Sequence, residues 1–191
     1  LTLSQDKKTA LVANVGMYSY PLITGATPEN IDSLMISHHP YGDNTPESTN
    51  GTVVEGREVP GVGSPLHPDA MSVFTIDLQN NRVVEKFKTG HQIGQMIEDA
   101  EVVGGASPNS VAVGKQFAYV TNATNDNISV IDYKNHKLLH DIPILVDKKI
   151  DTYRGLLPFG ITLSNDEKTL YVALLGFNAV AVIDTETGKT K

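Results

Sequence analysis

The chain contains no cysteine and no tryptophan. Without thiols it can form no disulfide, no thiolate zinc site and no cysteine nucleophile. No apolar run approaches the about 20 residues that a membrane-crossing helix needs. Basic clusters are missing too: 15 Lys and Arg face 22 Asp and Glu, a formal net charge of −7 over 191 residues. Lys7-Lys8 and Lys148-Lys149 are isolated pairs. A nucleic-acid partner needs cations clustered along a phosphate track, so the sequence argues against one. The opening LTLSQDKK shows neither Met nor a signal peptide, which leaves an internal start and a removed leader both open.

What is present is a repeat. FAYVTNATNDNISVID (117–132) returns as LYVALLGFNAVAVID (170–184). A third version is split between LTLSQDKKTALVAN (1–14) and MSVFTIDLQNNRVVEKFKTG (71–90). Each unit has an apolar strand and a polar turn (SQDKK, GKQ, SNDEK), then a β-branched and aromatic strand. A further strand closes at Asp77, Asp132 or Asp184, and a turn leads on to a fourth strand. Alternating Val, Ile, Tyr and Phe mark strands, and Asn, Asp and Gly clusters mark turns. Four antiparallel strands per repeat, stacked radially, define an all-β fold, the β-propeller. The expected division is a partial β-propeller over 1–191. Blade 1 covers 1–90 with an insert at 15–70, blade 2 covers 109–145, and an incomplete blade 3 covers 159–191. Closed propellers have about four to eight blades. The remaining blades are therefore expected from the same chain or another one. The recurring Asp side chains are expected to start turns by accepting from backbone N–H groups two residues on.

These residues resemble the YVTN β-propeller family, whose repeat AYVTNATNDNISVID matches. VVGGASPNSVAV (102–113), YRGLLPFGITLSNDEKTLYVALLGFNAVAVID (153–184) and HHPYG (38–42) look like a bacterial branch of it. In that branch the propeller is commonly followed by a phosphoesterase domain of the alkaline phosphatase superfamily. The resemblance implies a seven-bladed propeller and an exported protein, periplasmic or extracellular. It implies no catalysis by the propeller, and no catalytic residue carries over.

Strand order predicts where the long connections lie. Turns joining the first and second strands, and the third and fourth, fall on one face of the disk. Second-to-third turns and blade-to-blade links fall on the other. The connections at about 15–70, 89–108 and 145–158 all belong to the second class and are expected on one face. Long loops are commonly functional, although a cap that merely seals the central channel is the alternative. Candidate ligand-binding residues on that face are His38, His39, Tyr41, His91, Tyr153 and Arg154. His38, His39, Asp43, His67 and Asp69 are candidate metal ligands, since imidazole and carboxylate are common donors. Against a metal stand the loose spacing and the divergent side chains of adjacent His38-His39 on a strand. The sequence requires no cofactor.

VPGVGSP lacks the following helix of a phosphate loop, and Ser64 lies in no nucleophile elbow. Glu98, Asp99 and Glu101 offer carboxylates near His91 without a spacing that defines acid–base chemistry. Arg154 beside Tyr153 suits an anion or a protein partner, or braces backbone carbonyls. Asn50, Asn122 and Asn127 each head an Asn-X-Ser/Thr triplet. The expectation is a non-catalytic scaffold presenting a loop-rich face for a ligand or partner. The alternatives are an accessory domain of a phosphoesterase-type hydrolase whose catalytic domain lies elsewhere, and a propeller that is itself a metal-dependent hydrolase.

Overall fold

A computed structural model of the chain describes residues 1–16, 21–34, 36–39, 42–150 and 152–191. In chain order the first strands are β1 (Thr2–Leu3) and β2 (Thr9–Asn14). A 3-10 turn at Ile31–Ser33, helix α1 (Pro46–Asn50) and the hairpin β3 (Gly51–Val54) and β4 (Arg57–Pro60) follow. Then come β5 (Ser72–Asp77), β6 (Arg82–Lys88) and a second small hairpin, β7 (Met96–Ile97) and β8 (Ala100–Glu101). The next four strands are β9 (Pro108–Val113), β10 (Phe117–Asn122), β11 (Asn127–Asp132) and β12 (Lys137–Pro143). After a 3-10 turn at Lys148–Ile150, the last are β13 (Pro158–Leu163), β14 (Thr169–Leu174) and β15 (Ala179–Asp184).

The large sheets run β1-β2-β5-β6, β9-β10-β11-β12 and β13-β14-β15, antiparallel throughout. The protein is thus a β-propeller segment of two four-stranded blades and a third of three strands. At the end of the chain Lys191 N–H donates to Val182 O, so pairing along β15 has begun. Blades 1 and 2 carry a bulge at the same place, where the third strand meets the fourth. A bulge sharpens local twist, and a blade must twist to fan outward from the axis.

Two apolar layers hold the blades together. Leu11, Val73 and Phe87 of blade 1 pack on Val111, Ala118, Val120 and Ile131 of blade 2. The opposite face of blade 2, with Tyr119, Ile128, Val130 and Ile142, packs on Leu170, Val172 and Ile183 of blade 3. Strand β11 is therefore buried on both sides along its whole length. That explains why its sequence is apolar at adjacent Val130-Ile131 instead of alternating with charge. Full burial of one such side chain contributes about 1.5–3 kcal/mol, so either layer outweighs any surface ion pair. Near the axis, hydroxyls stitch blade to blade. Thr2 Oγ1 donates to Val111 O at 2.7 Å, and Thr121 Oγ1 donates to Phe159 O at 3.1 Å. The outer strands β6 and β12 are largely exposed.

One face of the disk is closed by short turns built from two devices. In the first, Ser4 Oγ donates to Asp6 Oδ1 at 2.6 Å and accepts from Thr9 N–H at 3.0 Å. Ser164, Asp166 and Thr169 repeat the arrangement in blade 3. The second is the recurring aspartate. Asp77 Oδ1 accepts from Gln79 N–H at 2.9 Å, Asp132 Oδ1 from Asn135 N–H at 3.0 Å, and Asp184 Oδ1 from Thr187 N–H at 3.0 Å. Their recurrence thus serves the blade, as the sequence suggests.

Among the described residues no helix is long and apolar enough to cross a membrane.

Candidate functional site

The long connections meet on the face opposite those turns. The first touches the second where Gly104 N–H donates to Gly42 O at 3.3 Å. The second reaches the β10–β11 tip, where Thr124 Oγ1 donates to Gly105 O. The third is fixed to the same tip by Asp126, whose carboxylate accepts from Gly155 N–H at 2.6 Å and Leu157 N–H at 3.0 Å. Arg154 crosses back to form an ion pair with Glu98 of the second connection. These connections also contain secondary structure that the repeat pattern does not reveal. Hairpin β7–β8 turns through Glu98 and Asp99, both at positive φ, as a two-residue hairpin turn demands. Helix α1 starts at Thr45, whose hydroxyl accepts from Ser48 N–H, with Pro46 in the first turn.

Between the β7–β8 hairpin, the β10–β11 tip and the third connection lies an open groove of about 550 Å³. His91, Glu98, Glu101, Asn125, Asp141 and Arg154 supply its polar groups, and Ile97, Val103, Pro143 and Ile144 its apolar wall. Local backbone places His91. Gly90 has φ +59, and a Cβ there would stand 2.6 Å from Asn125 Oδ1 and 2.8 Å from Ala106 Cβ. Only glycine fits, and His91 N–H then donates to Asn125 Oδ1 at 2.8 Å. His91 Nε2 faces Asn127 Nδ2 at 3.5 Å.

Behind the groove a buried polar network fixes these groups. Asn122 Nδ2 donates to Asn127 Oδ1 at 2.7 Å and to Ser129 Oγ at 2.8 Å. Ser129 Oγ donates to Asp141 Oδ1 at 2.6 Å. These bonds hold the surface above them, although Asn122 Oδ1 has no hydrogen-bond partner among the described residues. Burial in it also closes Asn122 and Asn127 to glycan attachment, whereas Asn50 is exposed at the end of α1.

Of the candidate ligand residues, the structure brings His91 and Arg154 to one groove. Tyr153 stands beside Arg154, edge-on to Phe177 with centroids 5.7 Å apart. Tyr41 lies outside the described residues. His38 and His39 sit half-buried in the first connection and do not line the groove. Among the candidate metal ligands, Asp43 lies near His39. Hydrogen bonds from Ser48 and Thr45 hold its carboxyl below the usual range, against the effect of desolvation. His67 Nδ1 accepts from Asp69 N–H at 3.2 Å, and Asp69 pairs with Lys86. Among the described residues no three His, Asp or Glu are grouped to hold a metal ion. Sequence reasoning missed Asn125, Asp126 and Asp141. The Asn-rich tip ATNDN was the available signal, since so polar a turn between strongly β-forming strands needs partners beyond itself.

None of the protein-family models matches the chain, and no curated protein matches it. Solved structures do. The chain is similar to hydrazine synthase of Kuenenia stuttgartiensis at 28% identity and a TM-score of 0.48, over 65% of this chain and 30% of that one. It is similar to virginiamycin B lyase from Staphylococcus aureus at 16% identity and 0.46, over 63% and 33%. It is also similar to Saccharomyces cerevisiae Sqt1 at 14% identity and 0.45, over 63% and 27%. In each case this chain spans a third or less of the other protein's length. The propeller class rests on the strand order and the interblade layers described above.

Proposed function

We propose that the chain is a binding segment of a larger propeller: its blades act as a rigid support, and its insert-built face receives a ligand or partner. The observation that supports this is the convergence of the second and third long connections and the β10–β11 tip around one groove, over a buried polar network. Pockets of a few hundred Å³ with an apolar wall and a few placed polar groups are the usual form of ligand sites. Crystals of the protein soaked with a general fragment set test the reading. Fragments are expected to collect in the groove beside His91 and Arg154. Occupancy elsewhere with an empty groove would sink it.

The resemblance of the AYVTN repeat extends this proposal. It points to an exported protein, periplasmic or extracellular, with further blades covering the open face of blade 3. HHPYG and YRGLLPFG motivate a second reading, an accessory propeller attached to a phosphoesterase-type catalytic domain. The complete open reading frame tests both. A leader peptide and more repeats are expected under the first reading. A downstream domain rich in Asp and His metal ligands is expected under the second, and a frame without one refutes it.

A further inference from the structure

Most polar groups along the groove are already satisfied by the protein. Both oxygens of Asp126 accept from backbone N–H groups, and Asn125 Oδ1 accepts from His91 N–H. Asn127 Oδ1 accepts from Asn122, and Arg154 is paired with Glu98. Two carboxylates are left over. Asp141 uses one oxygen to accept from Ser129, and its second has no hydrogen-bond or ion-pair partner among the described residues. Glu101 on β8 has none either and is exposed at the groove's edge. The surface around them is apolar, with Ile97, Val103 and Ile144.

We propose that this groove takes a small organic cation, an amine or guanidine carried on an apolar body. The inference rests on the ligand-face reading above and narrows it to one chemical class. A charged N–H head is drawn to Asp141 and Glu101, which line the same groove, while the body covers Ile97, Val103 and Ile144. Such charge-assisted bonds are about twice as strong as neutral ones. An anionic ligand would add like charge beside two carboxylates, and the nearby Arg154 is already neutralised by Glu98. A neutral apolar ligand would strip water from those carboxylates without replacing it. A bare metal ion lacks a ligand set, because no three His, Asp or Glu are grouped among the described residues.

Cyclohexylmethylamine, cyclohexylmethanol and cyclohexanecarboxylate share a body and differ in head charge. Each is titrated into the full chain labelled at Ile and Val methyls, reading the signals of Ile97, Val103 and Ile144. The amine is expected to shift all three and to bind at least about tenfold more tightly than the alcohol or the acid. Asp141→Asn and Glu101→Gln are each expected to weaken amine binding about tenfold and to leave alcohol binding unchanged. Asn at position 141 still offers Ser129 an acceptor, and an unchanged melting temperature verifies that the network survives. Equal binding of amine and alcohol, or tighter binding of the acid, overturns the cation assignment and leaves the groove as a ligand site. No shift at any of the three residues with any probe overturns the inference, while the fragment soaks decide separately whether the groove binds at all.

Discussion

Asp6, exposed, and Asp184, half-buried, are carboxylates whose value lies in the backbone they hold. Asp6 accepts from Ser4 Oγ and Lys8 N–H, and these bonds pull its pKa down to about 2. Hydrogen bonds from Thr187 hold Asp184 below the usual range, and those from Asn80 do so for Asp77. At Asp132 burial opposes the shift, but Asn135 and Gln116 still bring the group down. A carboxyl whose pKa is lower folded than unfolded binds fewer protons in the native state. Its contribution is therefore complete above the ordinary carboxylate range and is lost as pH falls through the folded value. The melting temperature is expected to drop between pH 4 and pH 2, and Asp6→Asn should drop less over that window in calorimetry. Lys88 shows the opposite polarity of the same device. Its ammonium donates to Pro65 O at 2.8 Å, His67 O at 3.1 Å and Ala70 O at 2.6 Å, pinning the return of the first connection to β6. Lys88→Met keeps the stem and removes the donors, and is expected to cost about 2 kcal/mol in urea denaturation.

At the scale of the element, the third connection hangs on one carboxylate and one glycine. Asp126→Ala removes both acceptors for Gly155 and Leu157, charge-assisted bonds in a buried setting. A loss of about 2–3 kcal/mol is expected, with amide exchange rising at residues 153–157 before it rises in β13. Gly176 sets a second constraint, since a Cβ there would stand 1.9 Å from Gly155 O. Gly176→Ala must push that connection off blade 3, and the Tyr153–Phe177 contact, followed by ring-proton shifts, is expected to break with it. Elements with a strong period were legible in sequence: β10, β11, β14 and β15 coincide with the repeated phrase, and Asp132 and Asp184 end strands as expected. The hairpins β3–β4 and β7–β8 were not, because strands of two to four residues carry too little alternation to register. Groove residues were legible only where they sat in a long insert. His91 and Arg154 stood out there, whereas Asp141 lies on a largely exposed outer strand, and nothing local marks it.

At the scale of the molecule, quasi-symmetry compares a covered face with an open one. Tyr119 is 5% exposed beneath blade 3, while its counterpart Tyr171 is 43% exposed. Ile128 is fully buried, and its counterpart Val180 is 62% exposed. With Phe159 and Leu175 these residues form an apolar face of the kind that soluble proteins cover. The 191 residues purified alone are expected to self-associate through it in sedimentation velocity. Phe159→Glu with Val180→Lys should shift the population toward monomer without moving the melting temperature of the blade 1–blade 2 layer. The repeat made this blade architecture readable, since one phrase returning three times specifies one sheet three times. Which residues meet across the inserts was not readable, because those contacts join segments that share no period. The threonine stitches near the axis have a mechanical consequence. Thr2 and Thr121 tie neighbouring blades along their inner strands, whereas the outer strands β6 and β12 face solvent. Two blades joined in this way part like the covers of a book, spine last. Solvent then enters each interblade layer from the rim, and a ligand gripped by the loops of two adjacent blades works as a clasp across the opening edge.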